Sequence, residues 1–123
     1  MYSPSITYRS RSSVAVSWTL QILTAAMFLF AGSRKLVSSP DMVQAFAVIG
    51  IGQWFRYLTG IIEVVSAILL LAPGFALYGA AALAVTMVGA ILTHLFILGG
   101  SPLIPIVLLA SASGIAVLRW SDR

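Results

Sequence analysis

Cysteine is absent from the 123 residues of this sequence. Disulfide bonds, thiol relays, thiolate metal sites and covalent haem attachment through a CxxCH motif are therefore excluded. Charge is also scarce, because only 8% of the residues are charged, against about 25% in ordinary soluble domains. The acidic residues number only three, whereas 60% of the residues are apolar. This composition is typical of an integral membrane protein.

A long stretch from Val64 to Leu118 contains no Asp, Glu, Lys or Arg. One crossing of the hydrocarbon core needs only about 20 residues. The stretch must therefore fold back at its helix breakers, which are Pro73-Gly74 and Gly99-Gly100-Ser101-Pro102. A water-soluble domain of this length could not bury so much apolar surface. The sequence predicts one small membrane domain.

The apolar runs and breakers predict an all-α integral membrane fold, a four-transmembrane-helix bundle. A short amphipathic interfacial helix is expected between the first and second spans, because Met42, Phe46 and Ile49 recur at helical spacing. The first apolar run is longer than the about 7–15 residues of a signal-peptide core, so we interpret it as a retained helix. The predicted boundaries are a cytoplasmic tail at 1–13, a membrane domain at 14–120 with spans at about 14–36, 54–72, 75–98 and 103–120, the connector at about 40–49, and a C-terminal tail at 121–123.

Four spans would place both termini on one side of the membrane. The basic residues near the two termini are Arg9, Arg11, Arg119 and Arg123. They mark that side as cytoplasmic, although Arg34, Lys35 and Arg56 on the other side make the bias small. We expect a bacterial inner (plasma) membrane protein with cytoplasmic N and C termini. The net charge of +4 favours contact with anionic lipid, and the lack of a dense basic stripe excludes nucleic acid as a partner.

Glu63 lies at the centre of the second span. Inserting an ionised carboxylate at that depth costs about 2.5–3.5 kcal/mol on insertion scales. The carboxyl group of Glu63 is therefore expected to be paired with a cation, to be protonated, or to have a functional role. Residues seven apart share a helix face, which places Arg56, Gly60 and Glu63 in one stripe. The first span also has a helix face with polar residues, and the last of them is Lys35. The third span has a similar face whose last polar residue is His94.

Four charged or titratable residues of the spans fall at one level of the bilayer. A rise of about 1.5 Å per residue, counted from the span ends, places them in its outer half. The candidate residues of an intramembrane polar cluster are Glu63, Lys35, His94 and Arg56. Those expected to surround them are Arg34, Gln21, Gly60, Thr93 and Thr86. No catalytic or metal-ligating residue is predicted.

Purely structural interpretations remain open for these residues. Arg34 and Lys35 could snorkel at a helix end, and Arg56 could anchor the interface. His94 could bond a backbone carbonyl in the core, and the threonines and Gln21 could join helices. A structural pair of Glu63 with Lys35 or Arg56 would clamp the first two spans together.

Several motifs match a known family pattern. The first span ends in Phe28-Leu29-Phe30-Ala31-Gly32-Ser33-Arg34-Lys35-Leu36, an apolar-Ala-Gly-x-x-Lys pattern. The connector carries Phe46 and the glycines Gly50 and Gly52. The second span contains Gly60-Ile61-Ile62-Glu63, a Gly-x-x-Glu pattern, and the third span ends in Thr93-His94.

From Trp18 to Leu118 the chain resembles the DoxX family of small four-span membrane proteins, in its DoxX-like branch. The resemblance implies a four-helix bundle with Lys35 and Glu63 as the characteristic charged positions and His94 as a looser match. Family names refer to a thiosulfate:quinone oxidoreductase subunit, to mycobacterial membrane complexes linked to oxidative stress, and to an animal receptor-assembly factor. The absence of cysteine speaks against a thiol-based role here.

Three functions remain open at this point. The first is a non-catalytic subunit or assembly protein of a membrane complex or homo-oligomer, accessory if it is redox-linked. The second is binding of a quinone, a lipid or another small amphipathic ligand in the outer half of the bundle. The third is proton-coupled transport of a small molecule. An enzyme acting alone is disfavoured, because Glu63 and His94 provide at most two metal ligands and a single histidine cannot ligate haem from both sides.

Overall fold

The computed structural model describes residues 11–120. The predicted tails, including Arg9 and Arg123, lie outside the described residues except for residues 11–13, which belong to the first helix. The helices of the described part are α1 (Arg11–Leu36), α2 (Pro40–Ile49), α3 (Gln53–Leu71), α4 (Ala76–Thr93, continued by a π-helical turn at His94–Leu98) and α5 (Leu103–Leu118).

The all-helical fold predicted from the sequence is confirmed. Helices α1, α3, α4 and α5 form a bundle in which α1 packs on α3, α3 on α4 and α4 on α5, while α1 also contacts α5. Within residues 11–120, α1, α3 and α4 with its π-helical turn are long and apolar enough to cross a membrane. Helix α5 has 16 residues, which at about 1.5 Å per residue is shorter than the hydrocarbon core. A crossing by α5 therefore stays a prediction.

Two ends of the bundle are named for what lies there. The end where α1 stops and where α3 and α5 begin, at Leu36, Gln53 and Leu103, is the α2 end, because α2 contacts α3 and the π-helical turn there. The opposite end, which holds Arg11 and Leu118, is the terminal end.

Glycines end the helices at the α2 end. Gly50 has a φ of 83° and donates its N–H to the carbonyl of Phe46, which makes it the left-handed cap of α2. Gly99 has a φ of 73° and donates to the carbonyl of His94 at 2.9 Å. A side chain would be strained at either position, which explains why glycine stands there.

The core of the bundle is apolar, and so is much of its outer surface. Phe28, Leu70, Leu83 and Ile115 are fully buried between the helices. Large side chains such as Phe96 point outward, and Phe96 is 80% exposed. A surface of this kind suits contact with lipid, because a soluble protein rarely exposes large contiguous apolar patches.

Helices α1 and α3 approach closely at two glycines. A Cβ added to Gly32 would lie 2.8 Å from the Cγ2 of Val64 and 2.9 Å from the carbonyl oxygen of Gly60. Small residues allow such backbone contact between membrane helices. The contact sets the register of α1 against α3, and with it the position of Lys35 opposite Glu63.

Helices α1 and α5 are joined toward the terminal end. The hydroxyl of Thr24 bonds that of Ser111. Arg119, directly after α5, donates to Gln21 Oε1 at 2.8 Å, and its guanidinium lies 5.4 Å from the ring centre of Trp18. These contacts hold the two helices together over the half of α1 that is far from Lys35.

Candidate functional site

A buried ion pair joins α1 and α3. Lys35 Nζ lies 3.0 Å from Glu63 Oε1 and 3.1 Å from Glu63 Oε2. The side chain of Glu63 is 3% exposed and that of Lys35 is 16% exposed. The prediction that these two residues form a buried pair is confirmed.

Helix geometry explains how Lys35 reaches Glu63. Lys35 is the last residue but one of α1, whereas Glu63 lies about ten residues, or roughly 15 Å, inside α3. Side chains of an α-helix tilt toward its N-terminus. In α1 that direction points from the α2 end toward the middle of the bundle. The ammonium group therefore reaches down to the carboxylate.

Arg56 is buried but serves a different contact from the one expected. Its guanidinium donates to the backbone carbonyl of Lys35 and to Gln53 Oε1, the latter at 2.7 Å. The last carbonyls of a helix lack partners within the helix, and a cation there also interacts favourably with the helix dipole. Gln53 Nε2 in turn donates to the carbonyl of Val43 at 2.9 Å. Arg56 thus ties the end of α1 to α3 and, through Gln53, to α2.

A cavity of about 570 Å³ lies beside the ion pair, between α1, α3, α4, α5 and α2. Its lining is mostly apolar, with polar side chains contributed by α1, α3, α4 and the segments that follow α4. The apolar lining includes Phe28, Met87, Pro105 and Leu108. The polar lining consists of Arg34, Lys35, Thr59, Glu63, Thr86, Thr93, His94 and Ser101. Arg56 does not line it.

His94 and two threonines line the wall of the cavity on the α4 side. His94 starts the π-helical turn, and its Nδ1 lies 3.2 Å from the carbonyl oxygen of Gly99. Thr86 and Thr93 donate their hydroxyls to carbonyls four residues earlier, each at 2.8 Å. This π-helical turn places His94 on the cavity wall, and such turns often occur at functional sites.

Arg34 lies at the rim of the cavity and pairs with Asp41 at the start of α2. Its guanidinium is also 5.8 Å from the ring centre of Phe30. The hydrogen bond from Arg34 lowers the pKa of the Asp41 carboxyl below its ordinary value. This ion pair connects α1 to the connector helix that covers the α2 end.

Two residues expected around the cluster lie elsewhere or act through the backbone. Gln21 is buried toward the terminal end, where it donates to the carbonyl of Leu70 at 2.7 Å and accepts from Ser17 at 2.8 Å. Gly60 supports the site through the close approach of its backbone to Gly32 and to the side chain of Leu36.

Sequence reasoning missed Gln53 and Asp41. Gln53 precedes Arg56 by three residues and so shares its helix face. Asp41 stands in the first turn of α2, a short distance along the chain from Arg34. The spacing of both pairs can be read from the sequence. It does not show which side chains meet, because that depends on the bend between α1 and α2.

The site offers a few hydrogen-bonding groups in a mainly apolar cavity. Lys35 and His94 both line it, on different helices, and Glu63 holds the ammonium in place. Among residues 11–120, no group of three or more His, Cys, Asp or Glu side chains is positioned to hold a metal ion. The arrangement is suited to hydrogen bonding of a small head group.

Comparison with known proteins places the chain in one family. The sequence model of the DoxX-like family matches residues 19–116, which is most of the chain. No match was found among curated proteins or among solved structures. With its buried Lys35–Glu63 pair in an apolar helical bundle, this chain belongs to the DoxX-like family.

Proposed function

We propose that this protein binds a small amphipathic molecule, such as a quinone or a lipid, in the cavity beside the Lys35–Glu63 pair. The observation that carries the proposal is that the buried ion pair lines a cavity of about 570 Å³. This volume is within the range of about 300–1,000 Å³ that is usual for small-molecule sites. A dry pair packed on all sides would have favoured a purely structural role.

The two charged groups would have different roles. Lys35 is the more exposed partner and has donor capacity beyond its bond to Glu63. It would donate to an oxygen of the ligand head, with His94 as a second hydrogen-bonding group. Glu63 would orient the ammonium group and offset its charge, which lowers the cost of keeping Lys35 in an apolar bundle.

The orientation of the site follows from the charge pattern of the sequence. Basic residues near both termini favour a cytoplasmic terminal end. The α2 end, with the cavity, would then lie in the outer half of a bacterial inner membrane. Helix α2, with Met42 and Phe46 toward the cavity, would lie in the interface plane.

Binding is tested with two probes, decylubiquinone and monoolein, added to the protein in lipid nanodiscs and measured by native mass spectrometry. Ala31 lines the cavity, whereas Ala26 on the same helix is exposed and does not. We expect Ala31→Trp to reduce retention of the bound probe at least about tenfold, the equivalent of 1.4 kcal/mol. Ala26→Trp should match the wild type. Equal retention by the two variants would contradict a site in this cavity.

A second candidate function is a non-catalytic subunit or assembly protein of a membrane complex or homo-oligomer. It is favoured by the way Lys35, Glu63 and Arg56 fasten α1 to α3. In that case the exposed apolar faces of the bundle would contact another membrane protein. One example would be a redox complex in which this protein is an accessory subunit. Proton-coupled transport through Glu63 stays a prediction with no further support. Catalysis by this chain alone is not proposed.

A further inference from the structure

We propose that the cavity is filled sideways from the bilayer, through an opening between α1 and α5, by an amphiphile whose head carries no net charge. This inference rests on the proposed binding function and adds the route and the charge class of the ligand. We call the opening the lateral portal, and its rim consists of Ala31 on α1 and of Ile104 and Pro105 on α5.

The contacts between α1 and α5 leave room for the portal. Toward the terminal end, Thr24 bonds Ser111, and a Cβ on Gly114 would lie 3.6 Å from the side chain of Leu20. Toward the α2 end, both helices line the cavity instead, at Ala31 and Ile104. Beyond the Thr24–Ser111 contact, toward the α2 end, both helices border the cavity.

The rim of the portal is apolar, and it is exposed at Ile104, whereas Pro105 is buried. Ile104 lines the cavity and is nevertheless 66% exposed, so the cavity reaches the outer surface there. Phe30 on α1, next to the rim, is exposed to the same extent. In a membrane such a rim faces acyl chains, which an alkyl tail can join without desolvating any polar group.

The route along the bundle axis is covered by α2. Phe46 of α2 is 7% exposed, and its ring centre lies 5.9 Å from that of Phe55 on α3. The Arg34–Asp41 pair and the bond from Gln53 to Val43 hold the helix at two further points. A ligand entering past α2 would have to break these contacts, whereas one entering past Ile104 would not.

The basic side chains that line the cavity are paired with carboxylates, and this pairing favours a ligand whose head group is neutral. The ammonium of Lys35 is offset by Glu63, and the guanidinium of Arg34 by Asp41. A phosphate would enter as an uncompensated charge in an apolar cavity, which is costly unless it breaks one of these pairs. A neutral head with carbonyl or hydroxyl oxygens can accept from Lys35 while the ion pair stays intact.

The test uses a monoacylglycerol that carries a photoreactive diazirine along its acyl chain, with the protein in lipid nanodiscs. Labelled peptides are mapped by mass spectrometry, and labelling that excess monoolein removes is counted as specific. We expect specific adducts around Ala31 on α1 and Ile104 on α5. The Ala31→Trp variant should lose them and the Ala26→Trp variant should keep them.

The outcomes separate the route from the function. Specific adducts confined to α2, around Met42 and Phe46, would overturn the lateral portal while leaving the binding site in place. Labelling that monoolein does not displace at any position would overturn the proposed function and the portal with it.

The charge of the head group is tested by competition. Oleoyl lysophosphatidate has the same acyl chain as monoolein but an anionic head. We expect it to displace the photoprobe at least about tenfold less well than monoolein. Equal or better displacement by lysophosphatidate would overturn the assignment of a neutral head.

Discussion

Replacing Lys35 with methionine is expected to destabilise the folded protein by about 3–5 kcal/mol, because it leaves the carboxylate of Glu63 without its partner inside the bundle. Methionine is similar in length to lysine, so little packing volume is lost. The measurement is the thermal unfolding midpoint in mild detergent or nanodiscs. A marked drop in the midpoint should accompany the loss of the single charge.

The double variant Lys35→Met with Glu63→Leu should recover most of this loss. Replacing a buried ion pair with apolar residues of similar size is often neutral or stabilising, because both desolvation penalties disappear. The recovered protein should nevertheless fail to retain decylubiquinone or monoolein. If the ion pair served only to clamp the helices, the double variant would recover its stability and retain the two probes no differently from the wild type, so it distinguishes the two candidate functions.

Arg34→Met is the matched control for Lys35→Met. It removes the neighbouring basic residue, whose partner Asp41 is exposed. Exposed ion pairs contribute little to stability, so the midpoint should change far less than in Lys35→Met. Similar midpoints for the two single variants would show that burial of the Lys35–Glu63 pair does not matter for stability.

Gly32→Ala is expected to destabilise the protein by about 1–3 kcal/mol through overpacking. The added methyl group would lie 2.8 Å from the side chain of Val64 and 2.9 Å from the backbone oxygen of Gly60. Because the second contact is with backbone, α1 and α3 must move apart to relieve it. That movement also separates Lys35 from Glu63, so ligand retention should fall together with the unfolding midpoint.

Gly89→Ala provides the contrast in the same bundle. A Cβ at Gly89, inside α4, meets no atom within 4 Å. Alanine in a helix interior is more favourable than glycine by about 0.5–1 kcal/mol, so the midpoint should stay or rise slightly. If Gly32→Ala were as stable as Gly89→Ala, the close contact of α1 and α3 would not be what sets the register of the ion pair.

Much of the fold could be predicted, because apolar runs indicate the helices and glycine and proline indicate where the helices end. The predicted connector at 40–49 corresponds to α2 (Pro40–Ile49), and the expected breaker at Gly99 has a positive φ angle. The pair of Lys35 with Glu63 was also predictable. A buried carboxylate needs a partner, and the sequence offers few basic residues that can reach it.

The partners of the other polar residues and the cavity could not be predicted. They depend on the direction in which side chains point and on how the helices pack, and residue spacing gives neither. Arg56 shares a helix face with Glu63, but its side chain tilts toward the start of α3 and so meets the end of α1 instead. Gln21 shares a face with Lys35, yet its partner Arg119 comes from the far end of the chain. The cavity is lined by side chains from five helices, so no single helix reveals it.

The most direct test of the binding site is a density map of the protein in lipid nanodiscs with decylubiquinone or monoolein added, at a resolution that shows bound lipids. We predict elongated non-protein density in the cavity, with its polar end within hydrogen-bonding distance, about 2.7–3.2 Å, of Lys35 Nζ. A cavity closed by its own side chains, with the Lys35–Glu63 pair packed and no density beside it, would contradict the account.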